Sequence, residues 1–274
     1  MPLSAFALTD KLPFCVSSLA YAPLGIHSFG LLYPVLTIFF ITASSVVVTY
    51  VCAKAYARER LLGVLFLGCG ALVFGWSSLI TALLFGSSGI PAAASVLAPG
   101  ALLSGLFHLA CAMSTRLGFG ARISKGYHAP LWLSVAALSV VLIAAASLLG
   151  LGPTFYSSSA GATAVGDVTL VAAVLEFGCS SALEYSAFRA SGSRVLFWYT
   201  ASLLATTIGL AGVLLSGGQT VSVAMRLGWV ALFVGGVLLL LSVVWAERLS
   251  GGQLAGDRAP GLSTAFIISG RPQG

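Results

Sequence analysis

Long apolar runs alternate with short polar breaks along the whole chain, on a scale much longer than the period of a soluble helix or strand. A helix needs roughly 20 apolar residues to cross the hydrocarbon of a bilayer. Seven runs have about that length: Leu31–Ala53, Leu61–Phe85, Ala92–Thr115, Pro130–Leu149, Val168–Arg189, Val195–Ser216 and Val221–Ala246. The breaks hold turn formers, such as Gly86-Ser87-Ser88-Gly89 after the second run and Gly217-Gly218-Gln219 after the sixth. The pattern predicts an all-α, polytopic membrane protein whose seven-helix transmembrane bundle fills residues 31–248. Residues 1–30, broken by Pro13, Pro23, Gly25 and Gly30, read as an exterior or interfacial lead-in. Gly, Ser and Pro in 249–274 predict a disordered cytoplasmic tail, and similar composition in 150–167 predicts a flexible loop.

Composition agrees, since 58% hydrophobic against 7% charged content leaves too little polar surface to cover a soluble globule of this size. The net charge of +6 is not gathered on one face, so nucleic acid is not an expected partner. The basic residues encode topology instead, because short loops rich in Lys and Arg stay cytoplasmic. With the N-terminus outside, the segments after the first, third, fifth and seventh runs hold Lys54, Arg58, Arg60, Arg116, Arg122, Lys125, Arg189, Arg194, Arg248, Arg258 and Arg271, eleven of the thirteen basic residues. Lys11 and Arg226 fall on the other side. The expected arrangement is N-terminus out and C-terminus in, in the cytoplasmic membrane of a prokaryote. The lead-in lacks the basic start of a cleavable signal peptide and is expected to be retained.

Candidate chemistry is sparse. Glu176 lies deep in the fifth run, where an ionisable group costs roughly 2.5 to 3.5 kcal/mol on insertion scales and normally turns inward to a partner. Glu184, two turns on and near Arg189, is expected to reach the headgroup region. Arg226, about a turn inside the seventh run, either snorkels to the interface or pairs with Glu176. His108 in the third run is expected to face the bundle, because an unpartnered ring in hydrocarbon costs several kcal/mol. It serves there as a ligand or proton group, or as one helix-to-helix hydrogen bond. Cys52, Cys69, Cys111 and Cys179 read as small buried thiols, and His27 and His128 stand near run ends, so neither metal nor cofactor is expected. Gly100-Ser104, Gly105 with Leu109, and Gly235-Gly236 predict close helix contacts.

Three stretches carry a resemblance: Glu59–Phe85, Pro99–Leu109 with His108, and Gly228–Val244 with the Gly235-Gly236 pair. There the chain resembles the seven-helix, membrane-embedded N-terminal sensor modules of prokaryotic PAS, histidine kinase and diguanylate cyclase signalling proteins. It departs from them at Trp229 and Leu232, where an Arg and a Gln would precede the glycine pair, and at Pro99, where a polar residue would stand. The resemblance implies a sensory or signalling module without its output domain. It would respond to a small molecule, ion or lipid and act through a separate cytoplasmic signalling protein, with the bilayer and a second copy of the chain as further partners. The alternative is a secondary transporter of a small solute or protons, with Glu176, Glu184 and His108 as relay groups. An enzyme is not expected, because no HExxH, paired Asp or Ser-His arrangement occurs. A retinal-type photoreceptor is excluded, since the last Lys is Lys125, before the fourth run.

Orientation is testable by cysteine-accessibility labelling. Cysteines introduced at Ser88 and Ser158 should react from outside, and those at Ser124, Ser193 and Ser263 from inside. Reversal at any one site would break the alternation.

Overall fold

Each apolar run becomes one helix in the computed structural model, which describes residues 34–87, 89–116, 128–151, 153, 155–157, 161–216 and 223–251. Helix α1 runs from Pro34 to Glu59, and its residues Ile38–Thr42 form a π-helical turn. It is followed by α2 (Leu62–Ser87), α3 (Gly89–Arg116), α4 (His128–Leu148), α5 (Ala164–Ser191), α6 (Arg194–Leu215) and α7 (Val223–Gly251). All seven are long and apolar enough to cross a membrane. The lead-in 1–30 and tail residues 252–274 lie outside the described residues.

Part of the segment expected to be a flexible loop is ordered. Tyr156–Ser157 (β1) pairs antiparallel with Gly161–Ala162 (β2), and α5 starts already at Ala164, earlier than the expected Val168. The reason is local: Thr163 is an extended N-cap whose side chain accepts a 3.2 Å hydrogen bond from the Gly166 amide. Helix α5 ends at Gly192, with φ 66°, and α1 ends at Arg60, also left-handed, whose amide donates to the Tyr56 carbonyl at 2.8 Å.

The helices pack in the order α1, α2, α3, α5, α6, α7, with α7 returning to α1, so six of them form a closed ring. Helix α4 packs outside it, chiefly against α2 and to a lesser extent α3. Only 11% of its span is buried, against 61% for α2. The outward surfaces are Leu, Val and Phe, whereas many buried positions are polar, among them Ser44, Ser45, Ser104, Ser202 and Thr206. Apolar side chains facing outward as well as inward follow from solvation by hydrocarbon.

Glycine sets the spacing of the ring. A Cβ on Gly212 would lie 2.7 Å from Gly228 Cα, and one on Gly236 would collide with the Phe40 carbonyl in the π-helical turn. These close approaches expose backbone carbonyls to hydroxyls on the neighbouring helix. Thr42 donates to the Gly75 carbonyl at 3.2 Å, Thr49 to Gly68 at 3.1 Å, Ser104 to Gly70 at 2.8 Å and Ser202 to Gly235 at 2.8 Å. Intramembrane hydrogen bonds of this kind average about 0.6 kcal/mol, so their number and placement count for more than any one of them. Pro99 inside α3 cannot donate to the Ser95 carbonyl, and Ser147 of α4 does so instead at 3.0 Å. This bond ties the outer helix to the ring.

Packing of this kind predicts unequal tolerance of added methyl groups. Gly236→Ala should lower stability by about 1 to 3 kcal/mol, since a backbone carbonyl stands in the way. Gly178→Ala, whose Cβ would meet only Thr207 Cγ2 at 3.7 Å, should be neutral. Thermal melting in detergent compares them, and equal midpoints would contradict the glycine-set spacing.

Candidate functional site

Helical spacing brings polar residues together at the centre of the ring. On α3, Ser104, His108 and Cys111 follow at intervals of four and three and share one face. Tyr199, Ser202 and Thr206 do the same on α6, at intervals of three and four. His108 points into the bundle and is 3% exposed. Its Nδ1 shares a 2.8 Å hydrogen bond with the hydroxyl of the buried Tyr199. Its ring meets Phe177 of α5 at 5.4 Å, and Phe177 meets Phe74 of α2 at 6.0 Å. Glycine makes room here too, because a Cβ on Gly70 would stand 3.0 Å from His108 Cδ2 and Nε2.

Beside His108 is a cavity of about 30 Å³. Every ring helix contributes to its wall, with Ser44 from α1, Phe74 from α2, His108 from α3, Phe177 from α5, Ser202 and Thr206 from α6, and Gly235 from α7. A site needs about 10 to 15 Å³ to hold one water, so this one has room for a water or two, or a bare ion. Ser202 and Thr206, whose hydroxyls donate to the Gly235 and Ser202 carbonyls, line the cavity.

From the cavity, polar groups continue toward the end of the bundle that carries Arg58, Arg116, Arg189 and Arg194. Cys111 Sγ lies within hydrogen-bonding reach of the Tyr199 hydroxyl and of the Leu67 backbone. Glu184 of α5 is close enough to Cys111 and Tyr199 to act on both electrostatically. It is only 1% exposed, and among the described residues both its carboxyl oxygens lack a hydrogen-bond partner. This overturns the expectation that Glu184 reaches the headgroup region. Its position along the axis suits that reading, but its face of α5 is turned to α3 and α6.

Glu176 stands one position away from the cavity-facing Phe177 and does not line the cavity. Its Oε2 rests against Gly105 of α3 without a hydrogen-bond partner. Arg226 is exposed in the first turn of α7. Among the described residues, no ion pair is made by Glu176. Of the four thiols expected to be buried, Cys52, Cys69 and Cys111 are, whereas Cys179 is exposed on the outer face of α5. His27 lies outside the described residues. Among the described residues no group of three or more His, Cys, Asp or Glu side chains is arranged to hold a metal ion.

Tyr199 was not singled out from the sequence, and Cys111 was read only as a small buried thiol. The stripe Tyr199, Ser202, Thr206, polar at helical spacing inside an apolar run, was the available signal. Compared with protein-family models, with curated proteins and with solved structures, the chain matches none.

Two mutant cycles separate what is coupled from what is not. His108→Ala with Tyr199→Phe should show an interaction energy of about 0.5 to 3 kcal/mol in detergent melting, as touching residues do. Glu176→Gln with Arg226→Gln should be additive. Recovery of stability in the second double variant would show a pair that the structure does not contain.

Proposed function

We propose that the protein is a membrane-embedded sensory module. A small ligand or ion occupies the ring beside His108 and shifts the ring helices, and a separate cytoplasmic chain reads the change at the basic end. The observation that carries this reading is the cavity to which all six ring helices contribute, since occupancy there bears on the spacing of every one of them. Its volume of about 30 Å³ suits an ion or water-sized ligand in the present packing, and a larger one would require the helices to part. The ligand must bind one packing better than the other, because equal affinity shifts nothing. The distribution of basic residues supports N-terminus out and C-terminus in, which puts the Arg116 end in the cytoplasm of a prokaryotic cell.

Proton or solute transport is the second reading, favoured by the unpartnered carboxyls of Glu176 and Glu184 in membrane-spanning α5. Vesicles loaded with a pH-sensitive dye separate the two. The sensory reading expects an imposed pH gradient to decay no faster with protein than without it. It also expects the distance between spin labels at Arg58 and Ser193 to change when Ser44→Leu fills the cavity. A protein-dependent collapse of the gradient that His108→Ala abolishes would establish transport instead, and an unchanged spin-label distance would remove the coupling on which sensing depends.

A further inference from the structure

Glu184 poses a problem that its neighbours do not solve. Helix α5 packs chiefly against α3 and α6, and the titratable or charged groups these bring to Glu184 are Cys111 and Arg116 from α3 and Tyr199 from α6. Cys52 of α1 acts in turn on Cys111 and Tyr199. Arg116 is the cation of this set, yet its Nη2 donates not to the carboxyl but to the carbonyl of Leu183, one residue before it, at 3.3 Å. An ionised carboxylate so buried, with neither oxygen hydrogen-bonded among the described residues, is strongly disfavoured. A guanidinium already resting on the adjacent backbone could move to meet such a charge, and its place at a neutral carbonyl fits an uncharged neighbour.

We propose that Glu184 is a proton-binding site, and that loss of its proton transfers the Arg116 guanidinium from the Leu183 carbonyl to the Glu184 carboxylate. The chemistry is Glu184 carboxylic acid giving carboxylate and a proton, which leaves to water at the exposed Arg116 end, and nothing is oxidised or reduced. Because Glu184 acts electrostatically on Tyr199, and Tyr199 is hydrogen-bonded to His108 at the cavity wall, its charge state is felt in the ring's interior. The proposal rests on reading the ring as the functional site and names the proton as what regulates it. Bound proton keeps α3 and α5 in the packing seen here, and its loss draws their basic ends together through a new ion pair.

Infrared difference spectroscopy of the vesicle-reconstituted protein tests this without any ligand or partner chain, so the proton site and the sensory reading can fail separately. Protein labelled with carboxyl-¹³C glutamate should show the carbonyl stretch of a protonated glutamic acid that disappears as pH is raised. The band should be absent in Glu184→Gln, which copies the shape of the neutral acid, and retained in Glu176→Gln. In Arg116→Gln it should persist over the pH range in which the wild type loses it, since the carboxylate then has no cation to receive it. If Glu184→Gln does not fold, Glu184→Asp supplies the assignment, because the ¹³C-glutamate band must then vanish. A band that survives in Glu184→Gln or Glu184→Asp, or none at any pH, would overturn the proton site. An unchanged titration in Arg116→Gln would overturn the transfer of the guanidinium.

Discussion

Close approach of helices at glycine is the constraint from which the rest of this bundle follows. Apolar side chains gain nothing by leaving lipid for one another, so hydrocarbon-embedded helices associate through contact and hydrogen bonding rather than through exclusion of water. Where a glycine removes the side chain, two backbones can approach and a carbonyl becomes accessible from the next helix. Here a Ser or Thr takes that carbonyl at Gly68, Gly70, Gly75 and Gly235. Gly70 shows how the same device builds the site, since its carbonyl accepts from Ser104 and its missing Cβ leaves space for the ring of His108. A bulkier residue there would disturb packing and chemistry together.

The bilayer made the fold legible in the sequence and hid much of the site. Spanning hydrocarbon requires a long uninterrupted helix, so seven runs of near-membrane length could be read directly as α1 to α7. What a run does not reveal is which face turns inward, because lipid-facing and core-facing positions are both apolar and amphipathic periodicity nearly vanishes. Glu176 and Glu184 illustrate the loss. Position along the run made Glu176 the more demanding of the two, yet rotation about the axis leaves it half-buried and sends Glu184 into the interior. The same ambiguity put Cys179 inside when it lies on the outer face. His108 was legible because a polar ring has few acceptable orientations in lipid. Tyr199 was not, because a tyrosine in an apolar run looks like one more aromatic until its hydroxyl is seen to bond His108.

On α1 the cavity wall is formed beside a π-helical turn. This turn, Ile38–Thr42, contributes Ile41 to the cavity wall and brings the Phe40 carbonyl against Gly236. A π-turn widens the helix by one residue and replaces the usual hydrogen bonds with i to i+5 ones, here from the Ala43 amide to the Ile38 carbonyl. Reversion to α-helical pairing would rotate everything on one side of the turn by about 100° relative to the other, so the turn fixes which of Ile41, Ser44 and Ser45 face the cavity.

Two buried features therefore act on one space from different directions. The π-turn and the glycine contacts of α7 set its wall on one side, and the line from His108 through Tyr199 and Cys111 to Glu184 leads from it toward the basic end. Helix α4, outside the ring, contributes to neither, and its hydrogen bond to the Pro99-freed carbonyl of α3 steadies the helix that carries His108, Cys111 and Arg116. A sideways displacement of α3 would then move the cavity wall and the only cation near Glu184 among the described residues at once, whereas an equal displacement of α4 need move neither. The polar interior and the basic end thus share α3, whose His108 ring sits in the space that Gly70 leaves.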